Sequence, residues 1–157
     1  MTTTRLALLL AAALTLPTLT VTTASAQSAM PEVRVSMNQT VISSQLRSAM
    51  QLEQRAIAKL NDPRAYETIE DITPLMYRAY VLIRAAREGM LLVKEGKKFV
   101  DPLLEYEITQ TTRAWDLARG PVDWTYNNME RGQYIAASNQ NLAGVVAILE
   151  AVLEVMP

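Results

Sequence analysis

The side chains available for chemistry are carboxylates, arginines and lysines, because the chain has neither histidine nor cysteine. That removes the Ser-His-Asp and Cys-His nucleophile systems, which need an imidazole base. It also removes zinc sites of the usual nitrogen and sulfur ligands, haem held by histidine or through Cys-x-x-Cys-His, and the Glu-x-x-His pairs of di-iron bundles. No cofactor and no metal site is expected, and no catalytic residue can be named. Glu67, Glu70 and Asp71 gather ahead of an apolar stretch, and Glu105 and Glu107 follow Asp101-Pro102. Glu67 and Asp71, four apart, can share a helical face and bind a hard cation or act as an acid/base pair. No Asp-x-Asp-x-Asp-Gly loop organises them, so solvated helix surface is the expectation.

The basic residues are unevenly placed. Between Arg78 and Lys98 six basic residues face two acidic ones, and from Asp101 onward three face eight. Rim pairing between neighbouring helices accounts for this, and an anion-binding patch at Lys94, Lys97 and Lys98 is the sharper alternative. Arg78, Arg84 or Arg87 converging with Glu105 or Glu107 on a closed pocket would make a small all-α enzyme for an anionic substrate. Arginines splayed on the surface would instead mark a binding protein. Trp115, Trp124 and Tyr126 flank Gly120-Pro121 and offer a ligand-stacking site or corner packing. Met37, Met50, Met76, Met90 and Met129 suit either an adaptable groove or the filling of a core.

Asp101-Pro102-Leu103-Leu104-Glu105 is similar over five residues to the Asp-Pro-x-Arg-Glu segment of the all-helical chorismate mutases. Leu104 stands where that family places a catalytic arginine, and Leu92 where its lysine would fall. Cap, first-turn proline and an acid near the positive helix end explain the same letters.

Those groups must be carried by helices. Leu75, Met76, Ala79, Leu82, Ile83, Ala86, Gly89, Met90 and Val93 share one arc of a central helix over 73–100. Thr73 is its expected cap, with Pro74 at the first helical position. Leu82, mid-arc, is expected to be fully buried, so that Leu82→Ala would cost ~2–5 kcal/mol. An earlier helix should run from about Asn38 to Leu60 on Ile42, Leu46, Ala49, Met50, Ile57 and Leu60, followed by a short helix from Pro63 to about Glu70. A third begins at Asp101-Pro102, carries Leu104, Ile108, Thr111, Trp115 and Ala118, and should stop at Gly120-Pro121. Asp123 should cap a last segment through Trp124, Tyr126, Met129 and Ile135 to Leu153, with a possible break near Ser138-Asn139. Within it, the run Leu142 to Met156 is too short and too charged to span a membrane. Val145, Leu149, Val152 and Met156 are candidate contacts of a homodimer, admitted by the small Ala143, Gly144, Ala147 and Ala151.

Ahead of the helices, Arg5, the apolar Leu6 to Leu16 and Ala24-Ser25-Ala26 read as a signal peptide over 1–26, cleaved after Ala26. With no cysteine it is not a lipoprotein signal. The sequence divides into 1–26, a flexible lead-in over 27–37, and one domain over 38–157, whose mature length allows a single core. After cleavage 14 basic residues face 16 acidic ones, which gives no nucleic-acid footprint. The expected fold is all-α: an antiparallel, up-and-down four-helix-type bundle. The expected function is that of a periplasmic or secreted, non-catalytic bundle, with no membrane span in the mature chain. It would bind a protein partner, itself or an apolar ligand, in an accessory, chaperone-like, sensor or immunity-type role.

Overall fold

The structure, a computed structural model, describes residues 30–124 and 130–156, with side chains from residue 39 onward. The signal-peptide reading, together with Tyr126, Met129 and the side chain of Met37, lies outside the described residues. Within them the chain is all-helical: α1 is Met30–Leu60, α2 Ile69–Glu95, α3 Pro102–Asp123 and α4 Arg131–Val155. Each helix packs on its chain neighbour, and α1 packs on α4, which closes a four-helix ring.

The buried seams share one spacing. On α1 they are Ile42, Leu46, Ala49, Glu53, Ala56 and Leu60; on α2 Ile69, Ile72, Met76, Ala79, Ile83, Ala86, Met90 and Val93. On α3 Leu104, Glu107, Thr111, Ala114, Ala118 and Pro121 continue it, and on α4 Ser138, Leu142, Val145, Leu149, Val152 and Met156. Alternating steps of three and four place apolar groups on the strip a helix shows to partners lying nearly side by side, crossing at about 20°. The apolar interior falls into two clusters, a larger one around Ile83, Ala86 and Leu149 and a smaller one around Ile72, Met76 and Tyr134.

Several expected boundaries move. The lead-in expected over 27–37 is helical from Met30 on. Pro63 starts no helix: residues 61–68 form turns, in which Asp62 Oδ1 accepts from the Arg64 amide at 2.8 Å. Helix α2 opens at Ile69, so Thr73 and Pro74 lie inside it and Thr73 is not its cap. Ile69 and Ile72 extend the buried seam backwards, and Glu70 and Asp71 suit the positive end of the helix. The Thr73 hydroxyl bonds back to the Ile69 carbonyl at 3.1 Å. Pro74 lacks the N–H that would serve the carbonyl of Glu70, a residue on the exposed side of the helix. At the other end the helix closes on Gly96, short of Val100.

The α3 start is as expected: Asp101 caps, its Oδ1 accepting from the Leu103 amide at 2.9 Å, with Pro102 next. Its end is not. The helix runs through Gly120 and Pro121 to Asp123, so Asp123 belongs to α3 and caps nothing. Proline in a helix removes the N–H that would serve the carbonyl four residues back. Here that carbonyl belongs to Leu117, and Asn141 Nδ2 of α4 donates to it at 3.2 Å. The carbonyl of Pro121 in turn accepts from the Tyr134 hydroxyl at 2.8 Å. Gly120 makes the approach possible, since a Cβ there would lie 2.8 Å from Asn141 Nδ2 and 3.1 Å from Trp124. Asn141→Leu should therefore lower stability by about 1 kcal/mol in urea denaturation, because it orphans the Leu117 carbonyl. No change would mean water already serves that group.

Helix α4 is continuous through Ser138-Asn139, with no break. Begun at Arg131 it reaches the length and apolarity of a membrane span, unlike 142–156 alone, while its seam is buried against α1 and α3.

Candidate functional site

The acids and bases singled out above are dispersed. Glu70 lies 2.9 Å from Arg131, whose guanidinium also donates to the Tyr66 carbonyl and covers the Tyr66 ring. Glu67 and Asp71 are exposed, and among the described residues no three metal-ligating side chains converge. Lys94 is tied to Glu105 at 2.6 Å across α2 and α3, which removes it from an anion patch and leaves exposed Lys98 beside half-buried Lys97.

The arginines splay. Arg78 is exposed, and Arg84 pairs along its own helix with Glu88 at 2.8 Å. Arg87 donates from Nε to Thr112 at 2.9 Å and lies over the Trp115 ring. None converges with Glu105 or Glu107 on a closed pocket. The tryptophans also part company: Trp115 stacks on Tyr80 of α2, with ring centroids 5.9 Å apart, and Trp124 meets Tyr134 of α4 edge-on. Met76 and Met90 are buried, Thr111 donating to Met90 Sδ at 3.8 Å, so they serve the core.

Among the described residues two carboxyls are buried, against the expectation of solvated acids. Glu107 sits at the α3 seam; burial pushes its carboxyl up, Asp101 adds to this, and Lys97 partly offsets it. Glu53, a residue that hydrophobic periodicity passes over because it is charged, is 0% exposed at the middle of the α1 seam. Neither of its oxygens has a hydrogen-bond partner, and burial pushes its carboxyl up to about 8. Charged groups are costly to bury without a partner, so the acid resides in the core in its neutral form. The spacing 42, 46, 49, 53, 56, 60 was the available signal for it.

The homodimer contacts need correction as well. Val145, Leu149 and Val152 are fully buried in their own bundle and Met156 nearly so, so they form core and give a second copy no surface. The apolar surface that remains is elsewhere. Leu92 (67% exposed), Phe99 (83%), Leu103 and Tyr106 crowd the connection from α2 to α3. A shallow groove of about 390 Å³ between α1 and α4 is lined by Arg47, Met50, Gln51, Glu150, Leu153 and Glu154. Compared with protein-family models, curated proteins and solved structures, the chain matches none of them.

Proposed function

We propose that the chain is an exported, non-catalytic helical bundle, up-and-down and antiparallel, that acts by binding a protein partner or an apolar ligand. The observation that supports this reading is the exposure of Leu92, Phe99 and Leu103 about the connection from α2 to α3, apolar surface of the kind that partners cover. The splayed arginines support it over a small all-α enzyme, whose substrate pocket would need them to converge. Export rests on Arg5, the apolar run and Ala24-Ser25-Ala26, with a periplasmic or secreted location following from cleavage after Ala26.

One experiment addresses both parts. The chain is recovered from the exported fraction, its intact mass determined, and the protein used as bait beside a Leu92→Ser/Phe99→Ser variant. The mass should correspond to a chain beginning at Gln27, and at least one captured protein or apolar compound should be lost with the double variant. Retention of Met1 in a cytoplasmic protein defeats the export reading. Identical capture by both baits, or capture no better than a blank support, defeats the binding reading.

A further inference from the structure

The binding role leaves the carboxyl at Glu53 unused. On α1 it lies between Ala49, part of the larger apolar cluster, and Ala56, part of the smaller one. The helices packed on α1 are α2 and α4. The buried face of α2 is apolar from Ile69 to Val93, and that of α4 carries Tyr134 and Ser138 before Leu142, Val145, Leu149 and Val152. Tyr134 directs its hydroxyl to Pro121, and no cation lies on either face. The buried titratable group of α3 is Glu107, another acid, and Arg47, Arg55 and Lys59 of α1 itself point to solvent. The Ser138 hydroxyl on that α4 face makes no bond to Glu53; a neutral carboxyl can stay in such surroundings, and a carboxylate bonded to no cation or donor cannot.

We propose that Glu53 is a proton-operated latch on the α1 seam. While its carboxyl keeps the proton, α1 lies closed against α2 and α4. When the proton passes to solvent, the carboxylate follows it to water, α1 swings out, and the interior opens where the two apolar clusters meet. The moving element is α1 because it carries the carboxyl and, as an end helix of the described bundle, is joined to α2 only through the turns at 61–68. The device operates whatever the bundle binds.

The test is a titration of the full chain from about pH 6 to about pH 10, with a dye that fluoresces on exposed apolar surface as one readout and the ¹³C resonance of the Glu53 carboxyl as the other. Dye fluorescence should rise roughly threefold or more in a step centred on pH about 8, level off above it, and stay flat in Glu53→Gln. A flat profile in the unaltered chain overturns the latch, as does an equal rise in Glu53→Gln. A Glu53 carboxyl that titrates in the ordinary carboxylate range overturns it too. Should Glu53→Gln not fold, Glu53→Met replaces it, and the carboxyl titration of the unaltered chain decides alone.

Discussion

Ile83→Ala should destabilise the protein by about 2–5 kcal/mol, and Ile83→Asp should leave no folded chain. Ile83 is fully buried at the middle of the α2 seam, in the larger apolar cluster. Truncation removes transfer free energy and leaves a void that a four-helix interior closes only in part, while aspartate places an unpaired charge there. Its neighbour Leu82 is half-buried beside that cluster, so Leu82→Ala should cost clearly less, about 1 kcal/mol. Urea denaturation of both alanine variants checks this. A loss below ~0.5 kcal/mol for Ile83→Ala, or a larger loss for Leu82→Ala, would mean that α2 presents a different face to the core.

Replacing Glu53 with methionine should raise stability, and by an amount that depends on pH. The folded carboxyl titrates at about 8 against an ordinary 4.5. Below about pH 4.5 the folded and unfolded chains both hold the proton, and ionisation costs folding nothing. Between about 4.5 and 8 the unfolded chain gives up a proton that the folded chain keeps, so stability falls across this window as pH rises. Above about 8 the loss is complete. At about 1.4 kcal/mol for each pH unit of displacement, it is on the order of 3–5 kcal/mol. Glu53→Met conserves volume and has no proton to lose, so its advantage should be small near pH 4.5 and several kcal/mol near pH 9. Urea midpoints at those two pH values settle the matter. A methionine variant less stable than the unaltered chain at the higher pH would reveal a partner for the carboxylate.

The α2 arc was legible in the sequence because its apolar residues recur without a charged interruption. Met76, Ala79, Ile83, Ala86, Met90 and Val93 are all buried, and Leu75, Leu82 and Gly89 flank them half-exposed. Glu53 was not legible, since a charged residue is ordinarily read as solvent-facing even when the spacing on either side places it inside. The prolines misled for a related reason. Pro102 starts a helix as local grammar says, but Pro74 and Pro121 are tolerated within helices by circumstances that local grammar cannot contain. For Pro121 the circumstance is Asn141 on another helix, whose side chain reaches the vacated carbonyl of Leu117, 24 residues before it. The lysine patch dissolved in the same way, because its first member, Lys94, turns across to Glu105 on the next helix. The arginines were visible as residue types, but their directions are set by packing that residue order does not encode.

A proton held on Glu53 also alters how the molecule behaves as a colloid. The formal net charge of −1 counts every carboxylate as ionised. With Arg5 removed by the proposed cleavage the count is −2, so with one acid kept neutral inside the fold the folded chain carries about −1 at neutral pH, its basic excess lying between Arg78 and Lys98 and its acidic excess beyond Asp101. So small a charge gives little mutual repulsion between molecules and little drift in an electric field. Mild alkali would restore the missing charge and with it some of that repulsion, which salt would screen.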